Sequence, residues 1–182
     1  MSLSYTIRPE RAGDEAEIAD VHRLAFGPSE PIPQLVQQLR SLNAPLTTIS
    51  FVACDANDAI LGHVMMSHGW IDAPQNMIDI LILSPLGVTP EAQKRGVGTA
   101  LLSKATDAAR QTTAPILALE GNPAYYAPRG FEPAKSYNIR RPSLRIPEPA
   151  LQIVRLPSYT PEINGSLVYR DLWWELDCVG LR

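Results

Sequence analysis

Cysteine is scarce. The 182 residues hold two, Cys54 and Cys178, far apart and outside any Cys-x-x-Cys pair or histidine cluster. That spacing gives neither a disulfide framework nor a metal-ligand pattern, so two buried thiols in a reducing compartment and no bound metal are expected. An excess of one charge is also lacking. Sixteen Lys and Arg stand against nineteen Asp and Glu, a formal net charge of −3, which gives the whole chain no attraction for nucleic acid or an anionic membrane. Long apolar runs are missing too: the longest, residues 80–83, falls far short of the about 20 residues that span a bilayer. The opening Met-Ser-Leu-Ser-Tyr-Thr-Ile-Arg has no apolar core of secretory type, so a cytoplasmic protein without a membrane partner is expected. Charged residues make up only 19% against 45% hydrophobic, which excludes a disordered tail or a charged coiled coil. One domain over residues 1–182 follows from the length, with a core at 4–133 and Pro-rich loops and strands at 134–182.

Proline is what the chain has in plenty, 17 in all, nine of them between residues 115 and 161. A proline cannot donate to a sheet ladder, so that region reads as loops and edge strands. Ahead of it, residues 5–8 read as a strand. Asp14 then caps a helix to Ala25, with Ile18, Val21, His22 and Ala25 on one stripe, and His22 there is a packed or surface histidine. Leu35, Leu39 and Leu42 mark a second helix over 33–42. Residues 49–54 and 59–66 flank Asp-Ala-Asn-Asp and form a hairpin. Residues 77–83 form a central strand, apolar enough to be buried on both faces. Val97, Leu101, Ala105 and Ala108 line a helix over 97–110. A strand at 115–119 leads to Asn122-Pro123, an N-cap with proline at the first helical position, whose short helix ends near Pro128 and Gly130. Residues 153–156 and 167–175 complete the strands, and Trp173 and Trp174 then alternate between faces.

The chemistry-bearing stretch is 83–102, Leu-Ser-Pro-Leu-Gly-Val-Thr-Pro-Glu-Ala-Gln-Lys-Arg-Gly-Val-Gly-Thr-Ala-Leu-Leu. A buried strand passes through a glycine-containing turn into a helix, which aims backbone N–H groups and the positive end of the helix dipole at one spot. Gly96 and Gly98 let a phosphate touch the main chain. Lys94 and Arg95 supply counter-charge at the rim. A dinucleotide fingerprint needs a third glycine where Leu101 stands, and a Walker loop needs a Gly-Lys-Ser/Thr that the chain lacks.

Gln93-x-x-Gly96-x-Gly98 resembles the acetyl-CoA pyrophosphate motif of the GNAT superfamily of acyl-CoA N-acyltransferases. Tyr126-Ala-Pro-Arg-Gly130-Phe131 is similar to the same family's tyrosine-to-Gly-Phe motif, and Asn-Pro-Ala-Tyr125-Tyr126 sharpens the likeness to a bacterial subgroup. The resemblance covers residues 5–133. It implies an α/β fold of three layers, α-β-α, with a mixed, splayed central sheet. It also implies acetyl-CoA as cosubstrate, held by Gln93, Lys94, Arg95, Gly96, Val97, Gly98 and Thr99. Pro85 removes a ladder donor and Gly87 marks a close backbone approach, so Leu86 and Val88 become the expected main-chain contacts of the pantetheine arm.

The reaction implied is direct transfer of acetyl from thioester to amine. An amine with a pKa near about 10 must lose a proton before it attacks, and a phenol near sulfur protonates the departing thiolate. Tyr126 matches the family's general-acid position, whereas Tyr125 packs. The base stays open between Asp79, Glu120 and water, because residues 80–84 offer no carboxylate. Lys135, Arg140, Arg141 and Arg145 read as a solvated loop or as a contact for the 3′-phosphate of CoA or an acidic substrate. A small-molecule or peptide amine is the expected acceptor, with segments 28–37 and 137–145 as its lining; Trp173 and Trp174 read first as ordinary packing, and otherwise as a homodimer contact or an acceptor-site wall. The competing reading is a CoA-binding sensor or interaction module without turnover. A longer acyl donor is a third.

Overall fold

The structure, a computed structural model, describes residues 3–181. The chain forms two compact units that interleave along it: the first runs through Leu42 and takes in Thr48–Met66 and Ser84–Ala108, and the second comprises Asn43–Thr47, Ser67–Leu83 and the chain from Ala109 onward. In chain order the elements are β1 (Thr6–Pro9), α1 (Glu15–Phe26), α2 (Ile32–Arg40), β2 (Ile49–Cys54), β3 (Ile60–Asp72), β4 (Met77–Val88) and α3 (Val97–Ala109). There follow β5 (Ile116–Glu120), α4 (Pro123–Tyr126), β6 (Glu132–Pro133), β7 (Ile139–Arg140), β8 (Leu151–Arg155), β9 (Gly165–Val168) and α5 (Asp171–Glu175). The fold class is mixed α/β, with a mixed, splayed sheet.

In the first unit β1 runs antiparallel to β2, with Thr6 opposite Cys54, and β2 runs antiparallel to β3, with Phe51 opposite Val64. Helix α3 lies against β3 at Gly62, where an added Cβ would stand 3.0 Å from Leu101 Cδ1 and 3.2 Å from Val97 Cγ1. Its buried face is Val97, Leu101, Leu102, Ala105, Thr106 and Ala109, so the stripe turns past Ala108, which is only half-buried. Asp14 precedes α1 but makes no side-chain cap bond. Its carboxylate instead takes both guanidinium nitrogens of Arg8, at 2.7 and 3.1 Å, and the amide of Arg11. A paired arginine outbid the cap because a bidentate charged contact is stronger than one neutral N–H bond.

In the second unit β5 pairs with parallel β4 at Leu81↔Leu117 and Ile82↔Ala118, and with antiparallel β8 from Ile116 to Glu120. Beyond Ala118 the β4 side of β5 carries no ladder among the described residues, and this is where the sheet parts. Ile80, Leu81, Ile82 and Leu83 are 0–3% exposed, which agrees with a strand covered on both faces. The strand also runs on through Pro85 to Val88, longer than apolarity alone marks out.

The expected strand over 167–175 is corrected. β9 ends at Val168 and α5 begins at Asp171. Trp173 is buried and Trp174 is 40% exposed, but neighbours separate by the turn of a helix here rather than by the pleat of a strand. Trp173 stacks on buried Tyr169 with ring centroids 5.1 Å apart, and that contact fixes the helix.

Candidate active site

The loop after β4 is built from the strand end outward. Thr89 donates its amide to Leu61 O at 2.9 Å, a single 3₁₀ turn spans Pro90–Ala92, and the Gln93 amide returns to Thr89 O at 3.1 Å. The Gln93 side chain bonds back as well: its Nε2 donates to Val88 O at 3.1 Å, so this glutamine braces the turn against the strand. Lys94 and Gly96 then take positive φ, +58° and +88°. The glycine accepts that geometry without cost, whereas lysine adopts it only where the turn demands it. Gly96 O accepts from Ala100 at 3.0 Å and opens α3, so helix geometry leaves the amides of Val97 and Gly98 without an intrahelical acceptor. Gln93, Lys94, Arg95, Gly96 and Thr99 are exposed, Gly98 is half-buried, and Val97 is anchored at 0% exposure. Val97 therefore anchors the turn from within. The result is an exposed turn at the start of a helix with two cations at its rim, suited to an anion.

Leu86 and Val88 are half-buried in β4, and Gly87 between them is buried. A Cβ on Gly87 would stand 2.7 Å from His22 Nδ1 and 3.4 Å from Phe26 Cε2. The close approach at this glycine is thus to a histidine of α1. His22 belongs to a buried polar series that sequence reading missed, because its members lie on five separate segments. His22 Nε2 meets His63 Nδ1 at 2.8 Å, and His63 Nε2 meets Ser50 Oγ at 2.7 Å. Ser50 donates to Glu10 Oε2, and Arg40 Nε donates to Glu10 Oε1 at 2.5 Å. Both histidines are 0% exposed. Burial works to raise the Glu10 pKa, but hydrogen bonds from His63 and Ser50 and the Arg40 charge outweigh it and bring the group down to about 2. Burial lowers the pKa of both histidines, most strongly His22.

A pH dependence follows. A histidine whose folded pKa lies below its unfolded value of about 6.5 binds fewer protons when folded than when unfolded as pH falls through that range, so stability falls as pH falls. Glu10 acts in the same direction, its contribution lost as pH drops from about 4.5 toward its folded value of about 2. Urea unfolding is expected to show lower stability at pH 5.5 than at pH 7. A His63→Gln variant should lose part of that difference, and an unchanged pH dependence in the variant would refute the assignment.

The second unit contains the tyrosine expected to act as acid. Asn122 Oδ1 accepts from Ala124 N at 3.0 Å, Pro123 occupies the first turn, and Gly130 ends the segment at φ +89°. Tyr126 packs over Gly121, where an added Cβ would stand 2.3 Å from its Cε2, and against Phe131 with centroids 5.6 Å apart. Burial, with a smaller contribution from Tyr125, raises the Tyr126 phenol to about 12. It therefore stays protonated, as a donor requires. Tyr125 carries the Arg129 guanidinium over its face at 3.9 Å, which accords with a packing role.

The two carboxylates proposed as bases differ in setting. Glu120 receives Tyr169 Oη on one oxygen and the Gly180 amide on the other, each at 3.0 Å. Asp79 takes His68 Nε2 at 2.6 Å, and its side chain is 44% exposed. Arg170 Nη1 meets His68 Nδ1 at 3.2 Å. Since arginine only donates, Nδ1 accepts and Nε2–H is directed at Asp79.

The basic run is a partnered surface rather than a free loop. Lys135 pairs with Glu148 at 2.8 Å, Arg140 donates to Ser166, Arg141 donates to Ile146 O, and Arg145 pairs with Asp177. Lys135, Arg140 and Arg141 also line a cavity of about 490 Å³ with Leu144 at its edge. Cys54 and Cys178 are buried and form no disulfide. No helix among the described residues is long and apolar enough to cross a membrane.

A family model of the acetyltransferase (GNAT) domain matches residues 6–134. An uncharacterized N-acetyltransferase, YjhQ of Escherichia coli, is 28% identical over 129 residues, 71% of this chain and 70% of that protein. Among solved structures, the E. coli GNAT family N-acetyltransferase YhbS in complex with CoA superposes with a TM-score of 0.80 at 24% identity, covering 94% of this chain and 92% of its own. A Brucella melitensis GNAT family acetyltransferase in complex with acetyl-CoA superposes at 0.73 with 25% identity, covering 93% and 98%. With the glycine-containing turn and the strand–turn–helix around it lying inside the matched span, the chain belongs to the GNAT acetyltransferase family and is an acyltransferase.

Proposed function

We propose that the protein transfers an acetyl group from acetyl-CoA to a primary amine by direct attack in a ternary complex. The observation that carries this reading is the exposed turn over residues 93–96, where positive φ at Lys94 and Gly96 leads the chain into the N-terminal amides of α3. Those amides hold the diphosphate of the cofactor, Lys94 and Arg95 add positive charge, and Leu86 and Val88 offer main chain to the pantetheine arm. The amine attacks the thioester carbonyl, the C–S bond breaks from the tetrahedral intermediate, and Tyr126 gives its phenolic proton to the departing thiolate. The crystallised relatives with CoA and acetyl-CoA support the choice of donor.

Calorimetric titration with acetyl-CoA tests the cofactor site, and assay against polyamines, aminosugars and lysine peptides tests transfer. Because Lys94 and Arg95 are exposed, reversing both to glutamate should leave the fold intact. It should weaken acetyl-CoA binding about tenfold at low salt and much less at 0.5 M, as exposed charges are screened. No binding by the unaltered protein would refute the reading. Tight binding without transfer to any amine would favour a CoA sensor.

A further inference from the structure

The buried series from Glu10 to His22 has a direction, and that direction is fixed by counting protons. Glu10 is ionised and only accepts, so the single Ser50 hydroxyl proton goes to it. Ser50 Oγ must then accept from His63, which places the proton of that ring on Nε2 and leaves its Nδ1 as a lone pair. His22 must therefore donate through Nε2, and its own Nδ1 is left as a lone pair. This atom is buried and has no hydrogen-bond partner. It points at Gly87, where a side chain would stand 2.7 Å away. At the other end Glu10, Ser50 and Arg40 line a cavity of about 560 Å³, together with Arg11, Glu15 and Thr48.

Buried polar groups are expensive, and an acceptor left unsatisfied in the interior costs on the order of 1–3 kcal/mol. Packing gives no reason for a lone pair under a strand whose neighbouring residues, Leu86 and Val88, are the ones assigned to the cofactor. We propose that His22, His63, Ser50 and Glu10 form a proton relay that carries the proton of the acceptor amine from the donor strand to solvent in the Glu10 cavity. This rests on the acetyl-transfer reading above. His22 is the group that meets the amine or a water bridging to it at the edge of Gly87, and the other three act through it.

The proton balance is as follows. One N–H bond of the ammonium breaks and an N–H bond forms at His22 Nδ1. The His22 Nε2 proton moves to His63 Nδ1, the His63 Nε2 proton moves to Ser50 Oγ, and the Ser50 proton moves to Glu10. Glu10 releases it to water. The series ends with every hydrogen bond reversed, and the hydrogens must return before the next turnover. Arg40 on α2, Glu10 after β1 and Asp14 before α1 are the charged groups whose fields act on the two rings.

Two measurements test the relay. Nitrogen-15 NMR of the histidine rings in the CoA-saturated protein should find both His22 and His63 protonated at Nε2 and bare at Nδ1; an Nδ1–H form of either ring would overturn the proposal. Ser50→Ala and Glu10→Gln, assayed with acetyl-CoA and an amine that the unaltered protein acetylates, should each lower kcat about tenfold at pH 7 with KM for acetyl-CoA unchanged. The deficit should shrink as pH approaches the amine's own pKa, because solvent then delivers free amine. A merely structural role predicts an equal deficit at every pH, and that result, like a kcat equal to the unaltered protein's, would overturn the relay while leaving acetyl transfer intact. If the unaltered protein acetylates no amine in the panel, both readings fall together.

Discussion

Tyr126→Phe is expected to lower kcat for acetyl transfer by about 10²-fold, the lower end of what a positioned general acid contributes, with acetyl-CoA affinity within about twofold of the unaltered protein. The substitution removes one oxygen and keeps the ring, so the contacts with Phe131 and Tyr125 survive. Because burial raises the phenol to about 12, Tyr126 is protonated throughout the neutral range and should introduce no alkaline limb below about pH 11. Gly121→Ala gives an independent check. Its Cβ would stand 2.3 Å from Tyr126 Cε2 and 2.8 Å from Cδ2, so the ring must move although its hydroxyl is kept. Steady-state assay of both variants beside a CoA titration separates chemistry from binding. A Phe variant with full kcat toward every accepted amine would remove Tyr126 from the mechanism.

Gly165→Ala is expected to cost roughly 3–5 kcal/mol of stability, the sum of a strained backbone and an overpacked contact. Gly165 begins β9 with φ +145°, and an added Cβ would lie 2.1 Å from Asp72 O and 2.8 Å from its carbonyl carbon. Neither neighbour is a flexible side-chain tip. Relief requires the backbone to part, which breaks the β3–β9 pairing at Asp72↔Ser166 and the β7–β9 pairing at Ile139↔Gly165. Urea denaturation should show a midpoint shifted far down at constant slope. A loss below about 1 kcal/mol would mean that this corner is more yielding than its geometry implies.

The parts legible in the sequence share a physical property: each depends on residues close together in the chain. The turn over 93–98 followed from two glycines at a strand-to-helix junction, and the Asn122 cap from one asparagine before a proline. The Ile-Leu-Ile-Leu run of β4 followed from apolarity with no alternation. The errors share the opposite property. Residues 167–175 carry strand-forming aromatics, yet the packing of Trp173 on Tyr169 made their second half a helix. Asp14 stands where a helix cap belongs, yet Arg8 from the preceding strand claimed its carboxylate. The partners of the basic residues from 135 to 145 were not legible either, because Glu148, Ser166 and Asp177 lie outside the run.

The sequence by itself determined the family, the glycine turn at the strand-to-helix junction and the tyrosine motif, since backbone geometry at glycine, proline and caps is set within a few residues. Only the tertiary structure decided that His22 and His63 join one hydrogen-bonded series with Glu10, and that Gly87 makes room for a histidine. It also decided that Glu120 is tied on both oxygens whereas Asp79 stays half-open. Such features depend on pairings between residues tens of positions apart, and the hydrogen-bond partner of a buried side chain is chosen by packing rather than by its neighbours in the chain.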